Sequence, residues 1–232
     1  MENSKFELAL NELKPNSYDK PDRKNSLVDD KYYDKVDEVC GKCVKIGNDG
    51  KCYASSEAFP ELFKCSKSDG QYIYDNEIPD KDKINLNGND YAHTSSVVGL
   101  LDKRVQETRD TDTQAVCKYS RDSLINIGDS SDAENERRKF DGFAKREVPK
   151  LRTKRQTEND EITGEPLEDG YEYHHKNKKS IITDPQKLVD PNSGINVNKE
   201  THKEIHRRKI VDEEQLEKEK DDIRKTLESR KK

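Results

Sequence analysis

The stretch 171–175, "YEYHH", followed at 198–209 by "NKETHKEIHRRK", decides how the second half of this chain is read. Two adjacent histidines, His174 and His175, close what reads as a short strand. His202 and His206 are four apart in a segment that reads as a helix with Asn198 as its cap, so they lie one turn apart on one face. Four of the five histidines thus fall within 33 residues, and His93 stands alone. Neighbouring side chains on a strand point to opposite faces, so His174 and His175 can do different work. Between strand and helix, "KNKKSIITDPQKLVDPNSG" reads as an open loop with two Asp-Pro turns and "INVN" as a second short strand.

In the order strand, loop, strand, helix, these histidines can converge. Spacing of i and i+4 on a helix lets two imidazoles bind one divalent ion, and one member of the strand pair can join them. By itself a His-x3-His pair is often only a surface pair, and four histidines also suit a closed structural site. The full pattern is more specific. "YEYHH…GINVNKETHKEIHR" resembles the HNH, or ββα-metal, nuclease motif in the form found in colicin- and pyocin-type DNases, over roughly residues 165–209.

The resemblance implies a C-terminal ββα-metal domain that hydrolyses DNA phosphodiester bonds and leaves 5′-phosphate and 3′-hydroxyl ends. It implies one divalent metal (Mg2+, Mn2+, Ni2+ or Zn2+) held by His174, His202 and His206. His175 matches the general base that activates water, and Glu172 a carboxylate that orients a basic or imidazole group. The family's Asn that orients the base has no strict counterpart. Its position falls at Gly194, with Asn192 and Asn196 on either side, and Asn192 is the expected replacement.

The rest of the chain is lean in apolar residues: 29% hydrophobic, 40% charged, 6% aromatic and no Trp among 232 residues. Such a composition predicts small cores joined by polar connections, with a bound metal helping the fold. The net charge of −5 is uneven. Residues 1–132 carry 19 Lys and Arg against 26 Asp and Glu; residues 133–232 carry 25 against 23. "GDSSDAENE" (128–136) reads as the boundary, giving an acidic domain over 1–132 and a nuclease domain over 133–232. The basic block "RRKFDGFAKREVPKLRTKR" (137–155) reads as a helix interrupted near Pro149, either a solvated face or a surface for phosphates. Arg146, Arg152, Lys154, Arg155, Lys176 and Arg207 are the candidate DNA contacts.

In the first half, Cys40, Cys43, Cys52 and Cys65 are spaced C-x2-C-x8-C-x12-C. The first pair is a zinc knuckle and the second is not, so structural zinc competes with unligated buried thiols. Cys117 is a fifth thiol, and the odd count argues against a disulfide framework. "NSKFELALNELK" (3–14) predicts an amphipathic helix capped by Ser4, and "GQYIYDN" (70–76) a strand. "VDDKYYDKVDEVC" (28–40), "TSSVVGLLDKRVQETRD" (94–110, capped by Thr94 or Ser95) and "DTQAVCKYSRDSLINI" (112–127) predict helices. "VDEEQLEKEKDDIRKTLESRKK" (211–232) predicts a charged helix with a narrow stripe of Leu216, Ile223 and Leu227.

No apolar run approaches the ~18 residues that a membrane span needs. The N-terminus lacks the pattern of a secretory signal, so a cytoplasmic location is expected. The fold class is thus α+β: a ββα-metal domain with flanking helices behind a small mixed domain, zinc-stapled if its cysteines hold an ion, whose acidity suits a protein partner better than DNA. The competing reading is a non-catalytic adaptor in which bound metal is structural and the charged C-terminal helix docks a partner.

Overall fold

The computed structural model describes residues 6–23, 28–179, 182 and 185–230. It is a mixed α+β structure of two compact units. One is Leu8–Phe140; the other runs from Asp141 onward and includes Phe6 and Glu7. The division therefore falls inside a helix, some eight residues beyond the expected boundary at 132.

The first unit is built on an antiparallel five-stranded sheet in the order β1-β2-β3-β5-β4. Its strands are β1 (Leu10–Glu12), β2 (Val44–Gly47), β3 (Cys52–Ser55), β4 (Lys83–Leu86) and β5 (Asn89–His93). Helix α1 (Asp30–Cys43) precedes β2, starts where the Asp29 side chain accepts from the Lys31 N–H, and buries Tyr33, Val36 and Cys40. Short helices α2 (Phe59–Leu62) and α3 (Lys67–Tyr72) follow β3; α4 (Thr94–Glu107) and α5 (Thr111–Gly128) pack on each other. Val97, Leu101, Val116, Leu124 and Ile127 from this pair join Val36, Val44, Phe59 and Leu62 in one core.

Several expectations change here. The helix predicted over 3–14 contains strand β1 instead, its cap Ser4 lying outside the described residues; Leu10 and Glu12 pair with Gly47 and Lys45 of β2. The strand predicted at 70–76 is helical, because Ile73 and Tyr74 turn into the core from the end of α3 and the π-turn after it. Helix α4 is capped by His93, whose Nδ1 accepts from the Ser95 N–H at 3.3 Å.

The cysteines are not gathered into a group of three or more that could share one ion. Among the described residues, the only group of three or more ligand side chains close enough to share an ion is a set of histidines in the other unit. Cys40 faces the core from α1, Cys52 is buried on β3, and the Cys117 thiol of α5 lies 3.6 Å from the Phe63 carbonyl. Burial pushes every thiol up, Cys40 to about 12 and Cys52 to about 11. Cys40, Cys52 and Cys117 act as apolar fillers of the core, and Cys43 and Cys65 pack against its edge.

Helix α6 (Ser131–Glu147) carries the chain across the division; a 3-10 turn at Val148–Lys150 containing Pro149 and the short α7 (Leu151–Lys154) follow. The second unit then forms a two-stranded antiparallel ribbon of β6 (Glu172–His175) and β7 (Gly194–Val197), linked through the short α8 (Pro185–Val189). Helices α9 (Lys199–Arg207) and α10 (Glu213–Arg230) complete it.

The register pairs His175 with Gly194, His174 with Ile195, Tyr173 with Asn196 and Glu172 with Val197. One ribbon face therefore carries Glu172, His174, Ile195 and Val197, the other Tyr173, His175 and Asn196. Ile195 and Val197 form a small core with Ile162, Ile205 of α9, and Leu216, Ile223 and Leu227 of α10. The stripe on the charged C-terminal helix is thus spent inside its own unit rather than on a partner. Buried Glu204 of α9 ties the two helices further, accepting from Arg207 and Arg208 and pairing with Arg230 of α10.

Ile223→Ala is expected to destabilise this unit by about 2–5 kcal/mol, the usual cost of emptying a buried aliphatic site. Val211→Ala, at an exposed position, should stay within ~0.5 kcal/mol. Guanidinium denaturation of the full chain measures both.

Candidate metal centre

The elements that bring the histidines together are set by one buried carboxylate. Asp160 accepts from the Ile162 and Thr163 N–H groups, each at 2.9 Å, closing the turn before the ribbon. Its other oxygen accepts from the Asn198 N–H at 2.7 Å, at the mouth of α9. Asn198 holds the cap position of α9, yet its side chain bonds outward, to the Glu168 N–H and the Pro166 carbonyl. The start of the helix is thereby fixed against the approach to β6.

On that frame, His174 from β6 and His202 and His206 from α9 present ligand nitrogens that lie within 4.8 Å of one another. The Nε2 atoms of His202 and His206 are 3.1 Å apart. Two imidazole nitrogens bound to one tetrahedral ion would sit about 3.3–3.4 Å apart, from metal–nitrogen distances of ~2.0–2.1 Å. The pair is therefore close to ligand spacing.

Glu172 decides the tautomer. Its carboxylate, on the same ribbon face as His174, pairs with Nδ1 of His202. A carboxylate only accepts, so His202 carries its proton on Nδ1 and the neutral ring keeps its lone pair on Nε2, the atom that faces His206. Burial favours the neutral ring, pushing His202 down against the opposing pull of Glu172. Burial, reinforced by the neighbouring His202 and His206 rings, pushes His174 to about 4. Neutral imidazoles are the form a metal takes, and three of them suit zinc, nickel or other nitrogen-binding ions better than magnesium, which prefers oxygen.

His175 is on the other face and buried. Its Nε2 lies 3.1 Å from the Leu188 carbonyl of α8. A carbonyl cannot donate, so Nε2 carries the proton and the neutral ring's acceptor is Nδ1. Burial again lowers the pKa. The fourth histidine is thereby excluded from the ligand set and held as a proton acceptor.

The other expected site residues divide. The orienting residue of His175 is the Leu188 carbonyl, not Asn192; the Asn192 side chain instead accepts from Arg155 at 2.9 Å. Arg155 serves as a strut, its Nε and Nη2 gripping Glu161 at 3.0 and 2.6 Å. Arg152 donates to the Tyr171 carbonyl and covers the Tyr171 ring; Lys154 pairs with Glu147, Lys176 with Glu213, and Arg207 with Glu204. The basic block is mostly neutralised by acids close in sequence, as a solvated face would be. Arg146 is exposed and, with Lys178 and Lys179, has no acidic partner among the described residues. Lys179 is near enough to His175 to lower its pKa.

Comparison with protein-family models, curated proteins and solved structures finds no match to this chain. No helix among the described residues is long and apolar enough to cross a membrane.

The chain should bind one equivalent of Zn2+, and Glu172→Gln should weaken that affinity about 10–100-fold, as loss of a partner behind a metal ligand does; calorimetric titration reads both. A second expectation concerns pH. In the ion-free protein, His174 and His202 titrate below the ordinary value of about 6.5, so the unfolded chain takes up their protons first. Their neutral rings contribute stability above that value, and the contribution is lost as pH falls through 6.5 toward about 4. Thermal melts in chelator should show this loss, and it should shrink in His174→Gln.

Proposed function

We propose that the second unit is a metal-dependent endonuclease of the HNH type acting on DNA phosphodiesters, with His175 as general base. One observation carries the reading: three imidazoles converge on one ribbon face while the fourth, adjacent in sequence, is held on the opposite face with its proton fixed on Nε2. Binding the ion does not itself call for that second arrangement.

His174, His202 and His206 would hold the ion, and a divalent ion there supplies Lewis-acid stabilisation of charge developing on a phosphodiester. The chain's own residues do the remainder. Nδ1 of His175 accepts the proton of the attacking water, a role that suits a ring kept neutral at pH 7. Glu172 keeps the proton of His202 on Nδ1 and so keeps Nε2 available as a ligand. Lys178 and Lys179, exposed directly after the ribbon strand, are suited to backbone phosphates, contacts that position DNA without reading its sequence.

The test is plasmid nicking by the pure full chain with Mg2+, Mn2+, Ni2+ or Zn2+. Nicking is expected with at least one ion, falling by about 10²–10⁴-fold in His175→Ala, the range a positioned base contributes. A folded, metal-loaded protein that nicks with none of them is instead a metal-stabilised adaptor.

A further inference from the structure

The ring of His175 is set by a carbonyl on a short connecting segment, so its orientation is only as good as that segment's anchorage. The anchorage comes from Tyr173, two residues earlier on the same ribbon face. Its hydroxyl proton is shared between the carbonyls of Asp190 and Pro191, at 3.1 and 3.2 Å. Its ring stands edge-on to the His175 ring, with centroids 5.0 Å apart. Across the ribbon, Gly194 leaves room for this ring: a Cβ there would sit 2.3 Å from the Tyr173 Cζ. Arg155 braces the segment from its far side, with Nη1 donating to Asn192 at 2.9 Å.

We propose that Tyr173 is the positioning residue for His175: seated on Gly194, it fixes the Leu188–Asn192 segment whose Leu188 carbonyl holds the base by its Nε2–H. It does so by a route distinct from the metal, since Glu172 and His174 occupy the other face of the strand. Its part in cleavage rests on the nuclease reading; its hold on the ring does not.

The experiment uses the Zn2+-loaded full chain with 15N-labelled histidine. In the wild type the His175 Nε2–H should give a slowly exchanging proton signal, assigned by its loss in His175→Ala. In Tyr173→Phe, which keeps the ring and removes the hydroxyl, exchange of that proton should speed up at least ~10-fold or erase the signal, while Zn2+ affinity stays within about twofold. Wild-type exchange in Tyr173→Phe overturns the proposal, and so does a parallel collapse of Zn2+ affinity, because the whole ribbon would then have moved. If Tyr173→Phe does not fold, Gly194→Ala carries the test: its Cβ would crowd the Tyr173 ring off its seat, and unchanged exchange of the His175 proton there also overturns the proposal. Plasmid nicking is measured in parallel and should fall about 10-fold or more in Tyr173→Phe, with rescue absent at raised Zn2+. A wild type that does not nick removes Tyr173 from cleavage together with the nuclease reading, and the proton signal still decides whether Tyr173 holds the ring.

Discussion

The proton held between Glu172 and Nδ1 of His202 decides which ring nitrogen of that histidine faces the rest of the cluster. With the proton there, Nε2 brings a lone pair toward His206 and the three imidazoles become a ligand set; with the opposite tautomer, an N–H would point into the space an ion needs. The interaction demands that a strand residue and a helix residue meet at hydrogen-bonding distance. The Asp160 carboxylate satisfies that demand by joining the turn before the ribbon to the cap residue of the helix, and the core of Ile195, Val197, Ile205, Leu216 and Ile223 holds it. The helix that looks most like a solvent-facing appendage, α10, is therefore part of what sets the metal centre.

The ribbon separates two kinds of chemistry with the least possible chain. Alternation of side chains places His174 in the histidine cluster and His175 on the opposite face at consecutive residues, and each receives its own support. On one face that support is a carboxylate, which strengthens a ligand. On the other it is a backbone carbonyl and an aromatic edge, which orient a ring without adding charge beside it. Burial acts on both faces in the same direction, keeping the rings uncharged at neutral pH.

Much of this was legible in the residues, and the failures have physical causes. The histidine spacing, both short strands of the ribbon and the helices α1, α4, α5 and α10 follow from periodicity and turn chemistry, which are local. The five-stranded sheet does not: its strands are three to five residues long, too short to show an alternation, and β1 sits in a segment that also satisfies a helical pattern. A usable signal was passed over at Asn87-Gly88, where both residues take positive φ and turn β4 into β5; Asn-Gly is the strongest short hairpin mark. The cysteines mislead because a zinc knuckle and two core-facing thiols one helical turn apart share the same spacing. The charged residues mislead because counting cannot tell a phosphate contact from a strut. Arg155 carries the expected charge, yet Glu161 and Asn192 take its donors, while Arg152 gives one N–H to the Tyr171 carbonyl and stays exposed.

The five thiols of the first unit bear on how this chain meets its surroundings. Alkylation, oxidation and disulfide exchange all proceed through the thiolate, and burial disfavours that form most at Cys40, Cys52 and Cys117, while Cys43 and Cys65 stay partly exposed. Glutathione, peroxide or an electrophilic label therefore meets Cys43 and Cys65 while the fold is intact, and Cys40, Cys52 and Cys117 once it opens. Labelling of Cys40, Cys52 and Cys117 becomes a reporter of unfolding in that unit.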